Sequence, residues 1–312
     1  MGYKLAGYEH LGGVEIDAAI AEIYKQNHHP KYFYTTDIRD FNDMQDLPKE
    51  LYNLDLLDGS PPCSTFSMAG QREKAWGKDK QFKEGQKLQR LDDLVFVYCD
   101  TIAKLKPKVC LLENVGGLCK GNGKAYAKAI VERLKEIGYN VQLFLLNGAT
   151  MGVPQTRERC FFIGLRNDFR LPKLKLDFNE KPILFKEIKD ANGEPITGEL
   201  TLLAWNNRRP SDRSIGDSNT RITGKCSNFN TRYAADDRVL DTLTASAPMV
   251  LYSEPKKMSS TEMLKAGTFP IDYKAPATKI QFLTGMCVPP VMTAQIALQI
   301  YEQWLSKIKE NG

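Results

Sequence analysis

The sequence predicts an α/β protein built on a doubly wound, mostly parallel sheet, with a smaller, irregular second domain. Three observations predict it. Residues 1–170 alternate apolar strand-like runs with amphipathic helical stretches, the pattern of strands joined by crossover helices. The run KVCLLENV (108–115) reads as a buried strand. From 171 to 255 the texture turns polar, rich in Lys, Asn, Arg and Ser, with only short apolar runs such as KPILF and RVLDTL.

Each element follows from local pattern. AIAEIYKQNH (19–28) carries Ala, Ile and Tyr at helical spacing, and LYNLDLLDGSPP (51–62) is a short apolar strand running into a Gly/Pro loop. LVFVYCDTIAKLKP (94–107) is an amphipathic helix stopped by Pro107, because proline cannot continue one. AYAKAIVERLKEIGY (125–139) is a helix ending at a glycine, NVQLFLLNGATMGVPQ (140–155) a strand leaving into a loop, and RCFFIGLRN (159–167) another strand. In such sheets ligands sit at the carboxyl ends of the strands, so the loops after 58, 113 and 150 are expected on one edge. The stretch 171–255 is expected to be mostly β or loop. Helix returns at 262–269 and 293–310, the last with Ile296, Ile300, Tyr301, Trp304 and Ile308 on one face, expected to pack on the first domain.

Composition excludes several classes. The 312 residues are 42% apolar and 26% charged, as in soluble globular proteins and unlike disordered or fibrous chains. No 18-residue apolar stretch suggests a membrane span, and residues 1–15 lack a signal-peptide core, so a cytoplasmic location without membrane contact is expected. The seven cysteines are odd in number and form no CxxC pair, which signals neither a disulfide framework nor a zinc ribbon. His10, His28 and His29 are the only histidines, so a histidine-dependent hydrolase is a poor fit. Net charge is +5, but 72–90 and 205–232 each carry a local +4. Two such segments suggest a polyanion contact, although solvated faces look the same.

Three segments carry chemistry. GSPPCSTFS (59–67) sets Cys63 on a proline-stiffened loop after a strand; a buried structural cysteine is the plainer reading. ENVGGL (113–118) ends a buried strand with Glu113, which needs a partner or a proton there. In QTRERCFFIG (155–164), Gln155, Arg157 and Arg159 alternate along an extended run and are expected to face one side. Arginines so placed can clamp a carboxylate, phosphate or carbonyl.

PPCSTFS, ENV and QTRER, in this order, resemble the motifs of the cytosine-5 methyltransferases of DNA. GVEID (13–17), TDI (36–38), SSTEMLKAGTFPIDY (259–273) and GMCVPP (285–290) resemble further motifs of that family. The resemblance implies an S-adenosylmethionine-dependent, Rossmann-like catalytic domain over 1–170, a target-recognition domain over 171–258, and a C-terminal segment, 259–312, packing back on the first. It implies methylation of carbon 5 of cytosine in a specific duplex DNA sequence. Cys63 matches the nucleophile that adds to carbon 6 of a flipped-out base. Glu113 matches the acid at ring nitrogen 3, Asn114 the residue holding the loop, and Arg159, with Arg157, the residues that bind the base carbonyl.

For S-adenosylmethionine, the resemblance implies Glu15 on the ribose hydroxyls, Ile16 on the adenine face, and Asp37 and Ile38 at the adenine edge. Pro62 and Leu94 would line the methionine end, and Cys287 and Val288 would close the pocket. Together with the basic segments it points to DNA contacts by Ser67, Arg72, Lys74, Gln155, Arg208, Arg209, Arg213, Arg221, Arg232 and Thr242, the last in the Thr242-Leu243 pair. A cognate restriction endonuclease acting at the same site is a possible partner. A monomer in a bacterial or phage-infected cell is expected. Two alternatives stay open: an RNA (tRNA) cytosine-5 methyltransferase, and a non-catalytic DNA-binding remnant.

The sequence departs from the pattern in three places. The Phe-x-Gly-x-Gly-Gly loop after the family's first strand has no counterpart, so a gap is expected between the strands at 12–16 and 54–58. An internal Met1, a strand from a second chain, or a degraded copy would each account for it. Met286 stands where the family usually has Asn, and Ser64 where Gln is commoner.

Overall fold

The computed structural model describes residues 1–62, 94–121, 123–190, 192–225 and 230–308. Cys63, Ser67, Arg72 and Lys74 lie outside the described residues, as does the whole basic segment 72–90. The chain divides into two compact units. The sheet unit comprises His10–Leu146, Glu158–Leu176 and Gln299–Gly312; the second comprises Met1–Glu9, Asn147–Arg157 and Asp177–Leu298. These packing boundaries cross the sequence-based division at 170/171.

In chain order the sheet unit contains β1 (Gly12–Val14), α2 (Ala18–His28), β2 (Tyr32–Tyr34), α3 (Ile38–Asp43) and β3 (Leu56–Gly59). It continues with α4 (Leu94–Leu105), β4 (Val109–Val115), α5 (Gly123–Glu136), β5 (Tyr139–Asn147), whose last residue lies across the boundary, and β6 (Glu158–Arg166). The preceding α1 (Gly2–Leu5) belongs to the other unit. The α/β class holds. The sheet is mixed, however, rather than mostly parallel: β3 runs parallel to β4, and β6 antiparallel to it. The reason is the connection after β5. A parallel neighbour needs a long crossover, and residues 148–157 supply only a short 3-10 turn, Gly148–Thr150.

β1 and β2 form a two-stranded parallel sheet, separate from the four-stranded sheet ordered β3-β4-β6-β5. The interruption falls between β1 and β3, where the gap is expected. One apolar cluster still serves both sheets. Phe41, Leu47, Leu51 and Leu105 pack with Leu11, Val14, Tyr32 and Tyr34 on one side of the interruption and Leu54 and Leu57 on the other. Lys104 reinforces this layer by donating to the carbonyls of Phe41, Asn42 and Met44 at the end of α3, the favoured place for a cation.

The main core lies between the sheet and α4 and α5. Val95, Tyr98, Cys99, Ile102 and Leu105 of α4 are buried at helical spacing. The first four meet Cys110, Leu112, Cys160 and Phe162, which share one face of the sheet, and Ile130 and Leu134 of α5. Gly59 closes β3 because any Cβ there would lie 2.5 Å from the Tyr98 ring. The Tyr98 hydroxyl donates to the carbonyls of Leu57 at 3.1 Å and Leu111 at 2.9 Å, tying β3 to β4.

The second unit holds α6 (Glu199–Asn206), α7 (Ile215–Thr223), β7 (Arg232–Ala234), β8 (Met249–Leu251), α8 (Ser260–Ala266) and α9 (Ala277–Met286). The final α10 (Pro290–Gln303) begins there and ends in the sheet unit. α6 and α7 correct the expectation of β or loop. Local signals for α7 are present: Ser214 caps its first turn through the Asp217 amide, and Gly224 ends it at φ 69°. On the last helix, Ile296, Ile300 and Trp304 are buried as expected, whereas Tyr301 is exposed. Within the sheet unit Trp304 Nε1 donates to the Pro172 carbonyl. No single helix among the described residues is long and apolar enough to cross a membrane.

Candidate active site

The chemistry-bearing residues of the sheet unit gather where β3 and β4 end. Register pairs Val115 with Arg159 and Glu113 with Phe161. Glu113 and Arg159 are therefore diagonal neighbours on one face of an antiparallel pair, within reach of long side chains. Arg159 Nε meets Glu113 Oε1 at 2.9 Å, with the side chains 14% and 10% exposed. Of the two conditions that could stabilise a carboxyl here, the structure supplies the partner. Burial pulls the Arg159 guanidinium below its ordinary pKa, and the Glu113 carboxylate opposes that shift. Removing one member of such a pair leaves an uncompensated buried charge, at a cost of about 3–5 kcal/mol.

Asn114 faces the other way. Its Nδ2 donates to the Pro61 carbonyl at 3.2 Å and its Oδ1 accepts from the Val115 amide. The Pro61-Pro62 segment, two residues before Cys63 at its start, is thus fastened to the end of β4.

The carboxyl ends of β1 and β2 carry two acids. Glu15 accepts from the Asp17 amide at 2.8 Å, and burial, the largest effect, raises its carboxyl above the ordinary value. Asp37 caps α3 by accepting from the Arg39 amide at 2.9 Å. Beside Glu15, Ile16 is 40% exposed, an apolar surface left open at a strand end.

In the second unit, Gln155 and Arg157 are both 0% exposed. Gln155 Nε2 donates to the Ala266 carbonyl at 2.7 Å, while its Oε1 accepts from the Leu243 amide at 3.1 Å. Arg157 donates from NH1 to the Leu243 carbonyl at 3.0 Å and from NH2 to the Gly285 carbonyl at 2.8 Å. Thr156 adds its amide and hydroxyl to the Leu240 carbonyl, and Thr242 Oγ1 donates to the Thr156 carbonyl. Gly285 is needed for this closeness, since a Cβ there would stand 2.2 Å from the Ala245 nitrogen. Segment 155–157 therefore pins both the Thr242-Leu243 pair and the segment that opens GMCVPP.

The sequence profile of C-5 cytosine-specific DNA methylases matches residues 1–302. The chain belongs to this family. It is 28% identical over 77% of its length to the type II methyltransferase M.FnuDI of Fusobacterium nucleatum, covering 63% of that protein. It is 26% identical over 95% of its length to M1.HphI of Haemophilus parahaemolyticus, covering 82% of that protein. Against the first few such relatives the chain spans between 38% and 63% of their lengths. Among solved structures, Spodoptera frugiperda DNMT2 superposes with a TM-score of 0.65 at 16% identity, covering 96% of this chain and 95% of that one; that likeness speaks for the fold.

Within this family member the expected site residues divide into groups. Glu113, Asn114 and Arg159 come together in the sheet unit as expected. Gln155 and Arg157 correct the reading: burial and engagement of both head groups leave them holding backbone rather than base or DNA. The alternation that suggested one common face is broken by the chain passing from one unit to the other between Arg157 and Glu158. Arg208 also departs from expectation. Its guanidinium stacks 3.5 Å from the Trp205 ring centroid and 4.6 Å from that of Tyr252, and donates to both residues' carbonyls. Arg221 is spent on Asp212 and the Asn207 carbonyl. Arg213 pairs with Asp241 but stays half exposed, and Arg209 and Arg232 are exposed. Sequence reasoning overlooked Thr156, Gly285 and the Trp205–Tyr252 clamp, whose partners lie far along the chain.

The family's methyl donor, S-adenosylmethionine, fits the residues present. A half-buried carboxylate oriented by a backbone amide suits a ribose diol, and the open Ile16 side chain suits the adenine face. Pro62 and Leu94, both half-buried, stand after β3 and at the start of α4. Cys287 and Val288 are half-buried in the second unit.

Proposed function

We propose that this chain transfers a methyl group from S-adenosylmethionine to carbon 5 of cytosine in a specific duplex DNA sequence, through a covalent adduct between Cys63 and carbon 6. The observation that carries the reading is the Glu113–Arg159 pair, 2.9 Å apart, at the strand end where Asn114 fastens the segment leading to Cys63. Carbon 5 of cytosine is a weak nucleophile. Thiolate addition at carbon 6 makes the ring an enamine that can attack the methyl group, after which loss of the carbon-5 proton to a base expels the Cys63 thiolate and restores the ring. Glu113 supplies the proton to ring nitrogen 3, and Arg159 orients Glu113 while its guanidinium faces the base carbonyl. When bound, S-adenosylmethionine supplies the electrophilic methyl. Glu15 and Asp37 hold its nucleoside end, with Ile16 and Ile38, and Pro62 and Leu94 line the methionine end.

In this reading 1–170 is the catalytic domain, 171–258 the recognition domain and 259–312 a returning segment. DNA is held by Ser67, Arg209, Arg213, Arg232 and the basic segment containing Arg72 and Lys74. Type II names among the relatives support a restriction-modification setting, with a monomer in the cytoplasm and a cognate endonuclease as the partner.

The test is transfer of labelled methyl from S-adenosylmethionine to unmethylated mixed-sequence duplex DNA, with tRNA in parallel and Cys63→Ser as control. Label in DNA that disappears in the variant is the expected result. Label in tRNA alone, or label in DNA that survives Cys63→Ser, would overturn the proposal.

A further inference from the structure

Two cysteines outside the proposed chemistry lie sulfur to sulfur. Cys119 Sγ and Cys160 Sγ are 2.8 Å apart, with Cys119 donating to Cys160, and neither is in a disulfide. The arrangement follows from the sheet. Register pairs Asn114 with Cys160, which sends Cys160 to the face opposite Glu113 and Arg159, among the core residues under α4 and α5. After β4 the chain winds through the 3-10 turn Gly116–Cys119, which returns Cys119 to the same cluster. Cys160 is fully buried; Cys119 is partly exposed.

The other core thiols contrast with this pair. Burial pushes Cys99 up to about 12 and Cys110 higher still, which leaves them unreactive. Cys119 is shifted the other way, first by its hydrogen bond with Cys160, against the effect of burial. A partly exposed thiol beside a buried second thiol has the makings of an attacking and resolving couple.

We infer that Cys119 and Cys160 are a redox modification site, converted by a hydroperoxide into a disulfide that staples the turn after β4 to β6. The Cys119 thiolate attacks the peroxide O–O bond, forming a sulfenic acid and expelling hydroxide, which takes up the proton shed by the Cys119 thiol and leaves as one water. The Cys160 sulfur then attacks the sulfenic sulfur. The S–S bond forms, and hydroxide leaves with the Cys160 proton as a second water. Two thiols are oxidised by two electrons and one peroxide is reduced; a dithiol reductant reverses the bond.

The test is oxidation of the reduced full chain with hydrogen peroxide, alkylation, and tryptic mapping without reductant. The expected product joins peptide 109–120 to peptide 160–166, lighter than their sum by two hydrogens, with fragment ions placing the link on Cys119 rather than Cys110. It disappears with dithiothreitol and persists in Cys63→Ser. Cys119→Ser and Cys160→Ala each abolish it. Recovery of the two peptides unlinked from wild-type protein, a link through Cys110, or loss of the link in Cys63→Ser would overturn the inference. The wild-type map decides the matter even if a core cysteine variant folds poorly.

Discussion

Arg157→Ala separates a backbone-holding role from direct contact with the base. The side chain is wholly buried and donates to two carbonyls, Leu243 at 3.0 Å and Gly285 at 2.8 Å. Alanine leaves both acceptors without this donor in a place water does not reach. A hydrogen bond from a charged donor is worth about 1.5–3 kcal/mol. Two such bonds predict a loss of about 3–6 kcal/mol, which is large against a total stability of about 5–15 kcal/mol. Arg157→Lys keeps the charge but not the fork that spans two acceptors, so it should lose about half as much. The assay is urea unfolding, comparing midpoints at constant slope, alongside methyl transfer. The structure predicts that activity and stability fall together, in the order wild type, lysine, alanine. An alanine variant within about 0.5 kcal/mol of wild type that nonetheless lost methyl transfer would refute the reasoning and return Arg157 to the base.

Further predictions concern the other charged groups. Glu113→Gln should cost about 3–5 kcal/mol of stability by leaving Arg159 without its counter-charge, and lower the methyl-transfer rate of the folded protein by about 10²–10⁴-fold, measured in single turnover with saturating DNA. Burial raises the folded pKa of Glu15, so its contribution to stability is complete below the unfolded pKa and is lost as pH rises through the folded one. Glu15→Gln should therefore raise the melting temperature at pH 7, with the gain shrinking as pH falls through the carboxylate range, while weakening S-adenosylmethionine binding by calorimetry. Arg208→Ala should cost about 1–3 kcal/mol of stability through the lost clamp between Trp205 and Tyr252, seen as a lowered urea midpoint. Arg209→Ala and Arg232→Ala should instead preserve stability and each flatten the salt dependence of DNA binding by about one counterion.

Much of the sheet unit was legible in the sequence because its signals are local. The unalternated apolar run at 109–112, the helical spacing in 94–105 and the motif around Glu113 depend on neighbours a few residues away. Even the interruption between β1 and β3 could be anticipated from a missing glycine-rich loop. The recognition region was less legible. α7 is polar and announced only by its caps, and the clamp on Arg208 draws on Tyr252, which no local pattern connects to it.

What the sequence by itself determined was the alternation of strands and helices and the family, with Glu113, Asn114 and Arg159 as candidate site residues. Only the tertiary structure decided what each charge does. Three arginines of one basic-looking set, Arg157, Arg208 and Arg221, are engaged with carbonyls, aromatic rings or an aspartate. Gln155 is engaged likewise. Residue type fixes what a side chain can donate; burial and the carbonyls that long-range packing brings to it fix where it donates. The same holds for sulfur: Cys119 and Cys160 look like scattered thiols in the chain, and become a pair because β6 returns antiparallel beside β4.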